Sequence, residues 1–163
     1  SSCLSVTDQP HLPRRGGSRV YDSEGIATSP MSIIEDGVLQ SFFVDTYYGR
    51  KLGLAPTSGS ASNLVLSLGE HNCEELLSEV GEGIYVTSWL GGNANGTTGD
   101  FSFGVRGHLI EGGKLAAPVE EMNVSGNFLE LFSQLSMVGN DPVPWSSFRV
   151  PTLVFDGVQF SGS

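Results

Sequence analysis

The stretch GHLIEGGKL, residues 107–115, places two adjacent glycines between apolar runs. This pattern favours a tight β-hairpin, because a type I′ turn requires a positive φ at both central residues. The stretches SIIEDGVL, residues 32–39, and LVFDGVQF, residues 153–160, repeat the pattern with Asp-Gly at the centre. The sequence therefore predicts three β-hairpins, and the irregular spacing between them argues against a solenoid.

Runs rich in β-branched and aromatic residues predict further strands around these hairpins. One is GIYVTSWL, residues 83–90, and another covers residues 100–106, where large apolar residues alternate with small or polar ones. Strands are also predicted at residues 17–21, 40–45 and 63–67. The remaining stretches are predicted to be irregular, at residues 8–17, 55–62, 91–99 and 139–150.

Capping residues predict two of the helices. Asn72 precedes residues 73–80, with Glu75 at the capping-box position and Gly81 just past the end. A shorter helix is predicted over residues 46–52, ending at Gly53.

A third helix is predicted to follow Asn127. Glu130 completes a capping box with Asn127, and Gly139 is a plausible stop. Four apolar residues at helical spacing form a single stripe that is expected to face the core: Phe128, Leu131, Phe132 and Leu135.

These elements predict a mainly β fold of the α+β class. The expected architecture is an antiparallel β-sandwich or barrel-like domain, with hairpins and two or three short helices, over residues 1–163. Glycine accounts for 22 of the 163 residues, about twice the usual share of ~7%, which fits many tight turns.

The formal net charge of −10 argues against two classes of partner. Nucleic acids and anionic membrane surfaces both require clustered Lys and Arg, so neither is expected to bind directly. The sequence contains no apolar run near the ~20 residues that span a bilayer, and no signal peptide. A cytoplasmic protein is therefore expected, and its start at Ser1 is interpreted as a position inside a longer chain.

No motif in the sequence predicts catalysis or metal binding by this chain. His11, His71 and His108 lie outside any His-Glu-x-x-His arrangement, and the two cysteines follow no zinc or redox spacing. The glycine-rich stretch 91–99 lacks the Gly-Lys-Ser/Thr ending of a phosphate-binding loop. No catalytic residue and no metal ligand is assigned.

Several motifs in series resemble the TldD/PmbA family, a group also described as modulators of DNA gyrase. The first is GSRVYDSEG at residues 17–25, similar to the family pattern Gly-Ser-Arg-x-Phe-Asp-x-Glu-Gly. The others follow in family order along the chain: IEDGVL at 34–39, DTYYGRKLG at 45–53, TSGSA at 57–61, GGNANGTTGDFS at 91–102, SMVGND at 136–141 and PTL at 151–153.

The resemblance implies a C-terminal, β-rich domain whose N-terminal region is absent from this chain. TldD-like subunits hold zinc through a His-Glu-x-x-x-His motif, and they pair with PmbA-like (TldE) subunits that lack it. The complex cleaves unfolded peptides, and the C-terminal domain contributes to the dimer and to the peptide channel. The expected partners are therefore a TldD-like homologous subunit, or a second copy of this protein, and an unfolded peptide.

The resemblance also favours the non-catalytic half of such a pair. The catalytic subunit takes a cysteine ligand from the loop before the last strands, and that loop, residues 141–149 here, contains no cysteine. Zinc is thus expected in the other subunit, and whether this chain belongs to an active enzyme stays open. The alternative is a stand-alone β-sandwich that serves as a binding or structural domain without a protease partner.

Six residues are candidates for peptide or partner contacts. They lie in two of the matching motifs, and Asp100→Ala is expected to weaken complex formation or proteolysis without unfolding the chain. Turn formation is the alternative role, because Asn and Asp tolerate positive φ and bond their own backbone. The candidates are Asn95, Thr97, Asp100, Phe101, Asn140 and Asp141.

Overall fold

A computed structural model describes residues 1–162, and in it the chain forms two compact units. Ser163, the last residue of the predicted 1–163 domain, lies outside the described residues. The first unit comprises residues 2–68 and 141–151. The second unit comprises Ser1, residues 69–140 and residues 152–162.

The first unit contains one helix and five short strands within the described residues. The strands pair in the order β3-β2-β1-β4-β9, antiparallel except for the parallel pair β4–β9. The elements are β1 (Val6–Asp8), β2 (Met31–Glu35), β3 (Val38–Leu39), α1 (Thr46–Leu52), β4 (Leu64–Leu66) and β9 (Phe148–Arg149).

The second unit contains the other six strands and two helices of the described part of the chain. A four-stranded antiparallel sheet has the order β11-β7-β6-β5, and β8 pairs separately with β10. The elements are α2 (Cys73–Val80), β5 (Gly83–Ala94), β6 (Asp100–Glu111), β7 (Lys114–Asn127), α3 (Phe128–Ser133), β8 (Leu135–Val138), β10 (Leu153–Phe155) and β11 (Phe160–Ser161).

Two of the three predicted hairpins form, and their turns have the predicted geometry. Asp36 and Gly37, between β2 and β3, have φ values of 48° and 78°. Gly112 and Gly113, between β6 and β7, have φ values of 57° and 76°. Both turns thus place two residues at positive φ, as a type I′ turn requires.

The third predicted hairpin, residues 153–160, is wrong. Gly157 has a φ of 69°, but the strands on either side of it join different sheets. Phe155 pairs with Leu135 of β8, whereas Phe160 pairs with Val124 of β7. Each apolar arm gains a partner distant in sequence, and that long-range pairing replaces the local one.

The helices over residues 46–52 and 73–80 have the predicted bounds. The helix after Asn127 is shorter than predicted, because α3 ends at Ser133 and Leu135 begins β8. Leu135 is buried, as its spacing predicted. It is buried in a strand opposite Phe155, however, and not on a helix.

The strands predicted at residues 17–21 and 40–45 do not form, apart from an isolated bridge between Tyr21 and Ala27. In the second stretch, the Val44 N–H donates to the Thr57 side-chain hydroxyl at 3.0 Å. The predicted strands at 63–67, 83–90 and 100–106 do form, as β4, β5 and β6. β5 continues to Ala94, so the irregular stretch predicted at 91–99 begins only at residue 95.

The mainly β, α+β class is confirmed, with sheets that are antiparallel except for the β4–β9 pair, and with three short helices in residues 1–162. The core of the second unit lies on one face of the four-stranded sheet. Phe101, Val105 and Val124 are buried there, and their partly buried neighbours include Phe103 and Phe128. None of the helices in residues 1–162 has the length and apolar character that crossing a membrane requires.

Candidate functional site

The turn between β5 and β6 is built around the side chain of Asn95. Its carbonyl oxygen accepts hydrogen bonds from the Thr97 and Thr98 backbone N–H groups, at 2.9 and 3.3 Å. The Asn95 N–H donates to the Asp100 carbonyl, and the Gly99 N–H donates to the Asn95 carbonyl. Residues 95–100, the hairpin tip, thus form a closed turn in which Asn95 is the organising residue.

The carboxylate of Asp100 connects the hairpin tip to the end of β7. It accepts hydrogen bonds from the Thr98 hydroxyl at 2.7 Å and from the Asn127 amide at 3.1 Å. These two donors hold the pKa of this exposed carboxyl below its ordinary value and outweigh a smaller, opposing effect of desolvation. Because the Asn127 side chain also accepts from the Leu129 N–H, the carboxylate fixes the residue that caps α3.

Phe101 lies mainly in the core. It is 7% exposed, and its ring stacks on Phe128 and Phe103 with centroid distances of 4.8 and 5.9 Å. Its remaining exposed edge helps to line a shallow cavity of about 280 Å³ at the hairpin tip. The other residues around that cavity are Asn93, Ala94, Asn95, Asp100 and Ser102.

The two remaining candidates do not belong to the hairpin tip. Asn140 lies in the second unit, where its backbone N–H donates to the His71 carbonyl and its side-chain amide donates to the Glu70 carbonyl. Asp141 is exposed and belongs to the first unit. The structure therefore gathers Asn95, Thr97, Asp100 and Phe101 in one place, and gives Asn140 a separate structural contact.

Contacts within the turn and the core already use much of the hydrogen-bonding and packing capacity of these candidates. Asn95 and Asp100 bond the tip itself, and Thr97 contributes a backbone N–H. The cavity beside the tip is open and is lined by neutral groups and one carboxylate. Such a surface can contact an extended backbone, but it places no nucleophile next to a base.

Trp89 of β5 is 63% exposed and lies on the same hairpin, although it was not among the residues predicted from the sequence to contact a partner. Its ring centroid is 5.4 Å from that of Phe103. An aromatic residue in a predicted strand is normally assigned to the core, and only the pairing order shows that β5 is an edge strand.

The family-like motifs of the first unit form one polar network. The Arg19 guanidinium donates to the hydroxyls of Ser58, Ser60 and Ser62 at 3.1 to 3.2 Å. Asp8, 1% exposed, accepts from the Ser62 N–H at 2.8 Å. This network joins residues 17–25 to residues 57–63, so these motifs build a scaffold of satisfied polar groups.

Asp22 belongs to the same network, because it lies near Arg19 and accepts a hydrogen bond from Gly59. Its carboxylate accepts backbone hydrogen bonds from Gly59, Ile26 and Glu24 at 2.9 to 3.2 Å. Burial alone would raise the pKa of Asp22, but these N–H donors and the nearby Arg19 charge outweigh it and hold the pKa below 3.8.

The side chains described by the structure, those of residues 1–162, do not form a zinc site. In the described residues, no three His, Cys, Asp or Glu side chains converge closely enough to hold a metal ion. His11 lies 3.3 Å from the Thr28 hydroxyl, and the Cys73 thiol lies 3.7 Å from the Tyr85 hydroxyl. A structural zinc site requires about four such donors around one point.

Comparisons with known proteins agree over nearly the whole chain. The family model of the PmbA/TldA metallopeptidase C-terminal domain matches residues 1–162. A Metalloprotease PmbA homolog from Haemophilus influenzae is 33% identical over 164 residues, covering 98% of this chain and 36% of that protein. A Zinc metalloprotease TldD homolog from Saccharolobus solfataricus is 28% identical over 152 residues, covering 85% of this chain and 34% of that protein.

A solved structure has the same fold. It belongs to a Bacteroides thetaiotaomicron protein described as a proposed modulator of DNA gyrase, and it superimposes with a TM-score of 0.96 at 50% identity. The match covers 100% of this chain and 37% of that one. The chain therefore spans about a third of the length of the proteins it matches.

Proposed function

The chain belongs to the PmbA/TldD metallopeptidase family, and from that membership we propose that it is a non-catalytic part of a zinc metallopeptidase complex that cleaves unfolded peptides. In this proposal it is the C-terminal β-rich domain of a longer subunit. It contributes surface to the dimer and to the peptide channel, and the complex works in the cytoplasm. The partner is a TldD-like homologous subunit or a second copy of the protein, and the zinc ion belongs to the catalytic subunit.

The PmbA-like assignment is supported by the comparisons and by one loop. The PmbA homolog matches 98% of the chain at 33% identity, whereas the TldD homolog matches 85% at 28%. Residues 141–149 contain serines but no cysteine, where the family resemblance implies a thiolate ligand in the catalytic subunit. Because a neutral serine hydroxyl is a poor replacement for a thiolate on zinc, this loop favours the non-catalytic half.

The observation that carries the peptide-contacting role is the hairpin of β5 and β6. Its tip is held by its own hydrogen bonds, and an open cavity of about 280 Å³ lies beside it. β5 is an edge strand of its sheet, so its outer side can pair with an added strand. Pairing through the main chain provides affinity with little sequence preference, which suits an enzyme acting on unfolded chains.

The alternative of a stand-alone β-sandwich domain has less support. The two curated relatives described above are named as metalloproteases, and each is about three times the length of this chain. A binding module without a protease partner would not need to share this domain with them. We therefore propose that the chain is part of a peptidase complex.

Zinc content tests the proposed division of labour. The full-length protein and its TldD-like homologue are purified separately, equilibrated with zinc, and freed of loosely bound metal by dialysis. The expected result is stoichiometric zinc in the homologue and none in the protein that contains this chain. Stoichiometric zinc in the latter would overturn the non-catalytic assignment.

A further inference from the structure

Asn95 and Gly96 form the only Asn-Gly pair in the sequence. Both residues are exposed in the hairpin tip between β5 and β6. In such a pair the backbone nitrogen of the glycine can attack the side-chain carbonyl carbon of the asparagine. Glycine favours this attack, because it has no Cβ to hinder the approach and it adopts a wide range of backbone angles. The sequence therefore makes Asn95 the most reactive asparagine of the chain.

The attacking atom of this reaction, the Gly96 nitrogen, is free in the fold. No hydrogen bond among residues 1–162 uses the Gly96 N–H as its donor. A Cβ placed on Gly96 would meet no atom within 4 Å, so the space around this residue is open. The nitrogen can therefore move toward the Asn95 side chain without breaking a hydrogen bond or displacing a neighbour.

The carbonyl group that would be attacked is polarised by the turn itself. The Asn95 side-chain oxygen accepts hydrogen bonds from the Thr97 and Thr98 N–H groups, at 2.9 and 3.3 Å. When the Gly96 nitrogen adds to the carbonyl carbon, negative charge develops on this oxygen. Donors that already point at an oxygen gaining charge stabilise the transition state, as in an oxyanion hole. The hydrogen bonds that hold the Asn95 side chain therefore also activate it.

A second asparagine beside the tip, Asn127, lacks the free nitrogen. Its side chain is held in a similar way, because it accepts from the Leu129 N–H and donates to Asp100. The next residue is Phe128, however, and the Phe128 N–H donates to the Gly99 carbonyl at 2.9 Å. The nitrogen that would attack Asn127 is thus occupied, and a bulky side chain hinders its approach. Asn127 is therefore expected to be stable.

From these observations we infer that Asn95 is a site of spontaneous deamidation, in which the Gly96 nitrogen displaces the side-chain amide and the tip acquires an aspartate or an isoaspartate. The modification needs water and no enzyme, oxidant or cofactor. It changes the charge of the hairpin tip with time. The inference goes beyond the proposed function and does not depend on it.

The reaction has two steps. In the first, a bond forms between the Gly96 nitrogen and the Asn95 Cγ, and the bond from Cγ to the side-chain nitrogen breaks. The proton of the Gly96 nitrogen passes through solvent to the leaving group, which departs as ammonia and leaves a five-membered cyclic imide. In the second step, water opens the imide. Opening at the side-chain carbonyl gives aspartate, and opening at the backbone carbonyl gives isoaspartate.

The two products affect the tip differently. An aspartate at position 95 keeps an oxygen that accepts from the Thr97 and Thr98 N–H groups, so the turn is retained. It adds a carboxylate close to Asp100, because Asp100 already accepts from the Thr98 hydroxyl at 2.7 Å. Isoaspartate instead lengthens the main chain by a methylene group. The hydrogen bond from the Asn95 N–H to the Asp100 carbonyl, which closes the turn, then loses its spacing.

Timed incubation of the folded chain at neutral and mildly alkaline pH tests the inference. Samples are digested with trypsin, and the peptide that spans residues 52–106 is sequenced by mass spectrometry with fragmentation that distinguishes aspartate from isoaspartate. We expect deamidation at Asn95, faster at the higher pH because the attacking nitrogen must lose its proton. Asn72 and Asn93 are exposed in the same peptide, and these internal controls are expected to react far more slowly.

Two variants separate the attack by Gly96 from general reactivity of the tip. Gly96→Ala places a methyl group in open space and is expected to slow deamidation about tenfold, which corresponds to a barrier higher by ~1.4 kcal/mol. Thr97→Ala keeps the N–H that bonds the Asn95 oxygen, and it is expected to leave the rate unchanged. Circular dichroism of each variant verifies that the fold is retained.

Other outcomes would overturn the inference. If Asn95 reacts no faster than Asn72 and Asn93, or if Gly96→Ala reacts as fast as wild type, then the Gly96 nitrogen is not the attacking group. If Asn95 reacts in urea but not in the folded chain, then the turn protects the side chain and does not activate it. None of these results bears on the proposed function, because neither zinc content nor peptide cleavage is measured.

Discussion

At the scale of single residues, Gly17 lies where two backbone segments meet. A Cβ on Gly17 would be 2.0 Å from the Ser62 carbonyl oxygen and 2.9 Å from the Asn63 side-chain oxygen. The Gly17 N–H also donates to that same Asn63 oxygen at 3.1 Å. Since Asn63 is 1% exposed, neither partner can move aside without disturbing a buried polar group.

We predict that Gly17→Ala destabilises the fold by about 1–3 kcal/mol, because the new methyl group must displace backbone atoms. Gly16→Ala is the matched control, since a Cβ at Gly16 meets nothing within 4 Å. Urea unfolding should give the control a free energy within ~0.5 kcal/mol of wild type. Equal stabilities for the two variants would contradict the close approach at Gly17.

Because the pKa of Asp22 is lowered in the fold, we expect the stability of the protein to depend on pH. Its pKa in the fold lies below 3.8, so the ionised form stabilises the fold above pH 3.8 and this contribution is lost as the pH falls through the lower value. Asp22→Asn should therefore be less stable than wild type at neutral pH. The difference should shrink as the pH falls below 3.8.

Urea unfolding of wild type and Asp22→Asn over a pH series measures this dependence. Ser23→Ala, a neighbouring exposed side chain without a titrating group, is the control and should show no pH-dependent difference from wild type. A difference for Asp22→Asn that stays constant well below pH 3.8 would show that its carboxylate is not stabilised in the fold.

At the scale of elements, α2 shows how a short helix is fixed at its start. The Asn72 side chain accepts from the Glu75 N–H at 3.1 Å, and the Glu75 carboxylate accepts from the Asn72 N–H at 2.8 Å. The helix has only eight residues and buries only Leu76 fully. A helix this short depends strongly on its cap.

Replacing the cap tests that dependence. Asn72→Ala is predicted to cost ~1 kcal/mol in the free energy of unfolding, because the Glu75 N–H loses its acceptor. Asn72→Ser keeps an oxygen at this position and should differ from wild type by only a few tenths of a kcal/mol. If the alanine and serine variants unfold at the same urea concentration, the cap does not stabilise α2.

Local chemistry allowed the sequence to predict several elements closely. Asp36-Gly37 and Gly112-Gly113 specify their turns through positive φ, and Asn72 specifies its helix through side-chain hydrogen bonds. These signals depend only on residues within about four positions of each other. They do not depend on the rest of the fold.

Distant partners explain the predictions that were wrong. Leu135 has helical spacing from Phe128, but Phe155 pairs with it across a sheet. Asp156-Gly157 has hairpin composition, but its two arms pair with β8 and β7. Sequence pattern does not specify which strand an apolar segment will join.

The candidate site could be located from the sequence more readily than it could be interpreted. The motif GGNANGTTGDFS, residues 91–102, placed four of the six candidates at one hairpin. These residues do more than form a contact surface, because Asn95 and Asp100 make hydrogen bonds within the turn and Phe101 packs in the core. Trp89 was missed since its exposure follows from strand order.

At the scale of the whole molecule, large apolar side chains remain on the surface of the first unit. Tyr47, Tyr48 and Leu52 of α1 are 52–63% exposed, and the Lys51 ammonium lies 5.8–5.9 Å from both tyrosine ring centroids. Clustered exposed apolar residues are typical of interaction surfaces. They fit the proposal that this chain works within a larger assembly.

The central claim is that this chain belongs to the non-catalytic half of a peptidase pair. The most direct test is to measure cleavage of an unfolded peptide by the full-length protein alone, by its TldD-like homologue alone, and by the mixture. We expect the full-length protein to be inactive by itself and the mixture to cleave the peptide. Zinc-dependent cleavage by the full-length protein alone would contradict it.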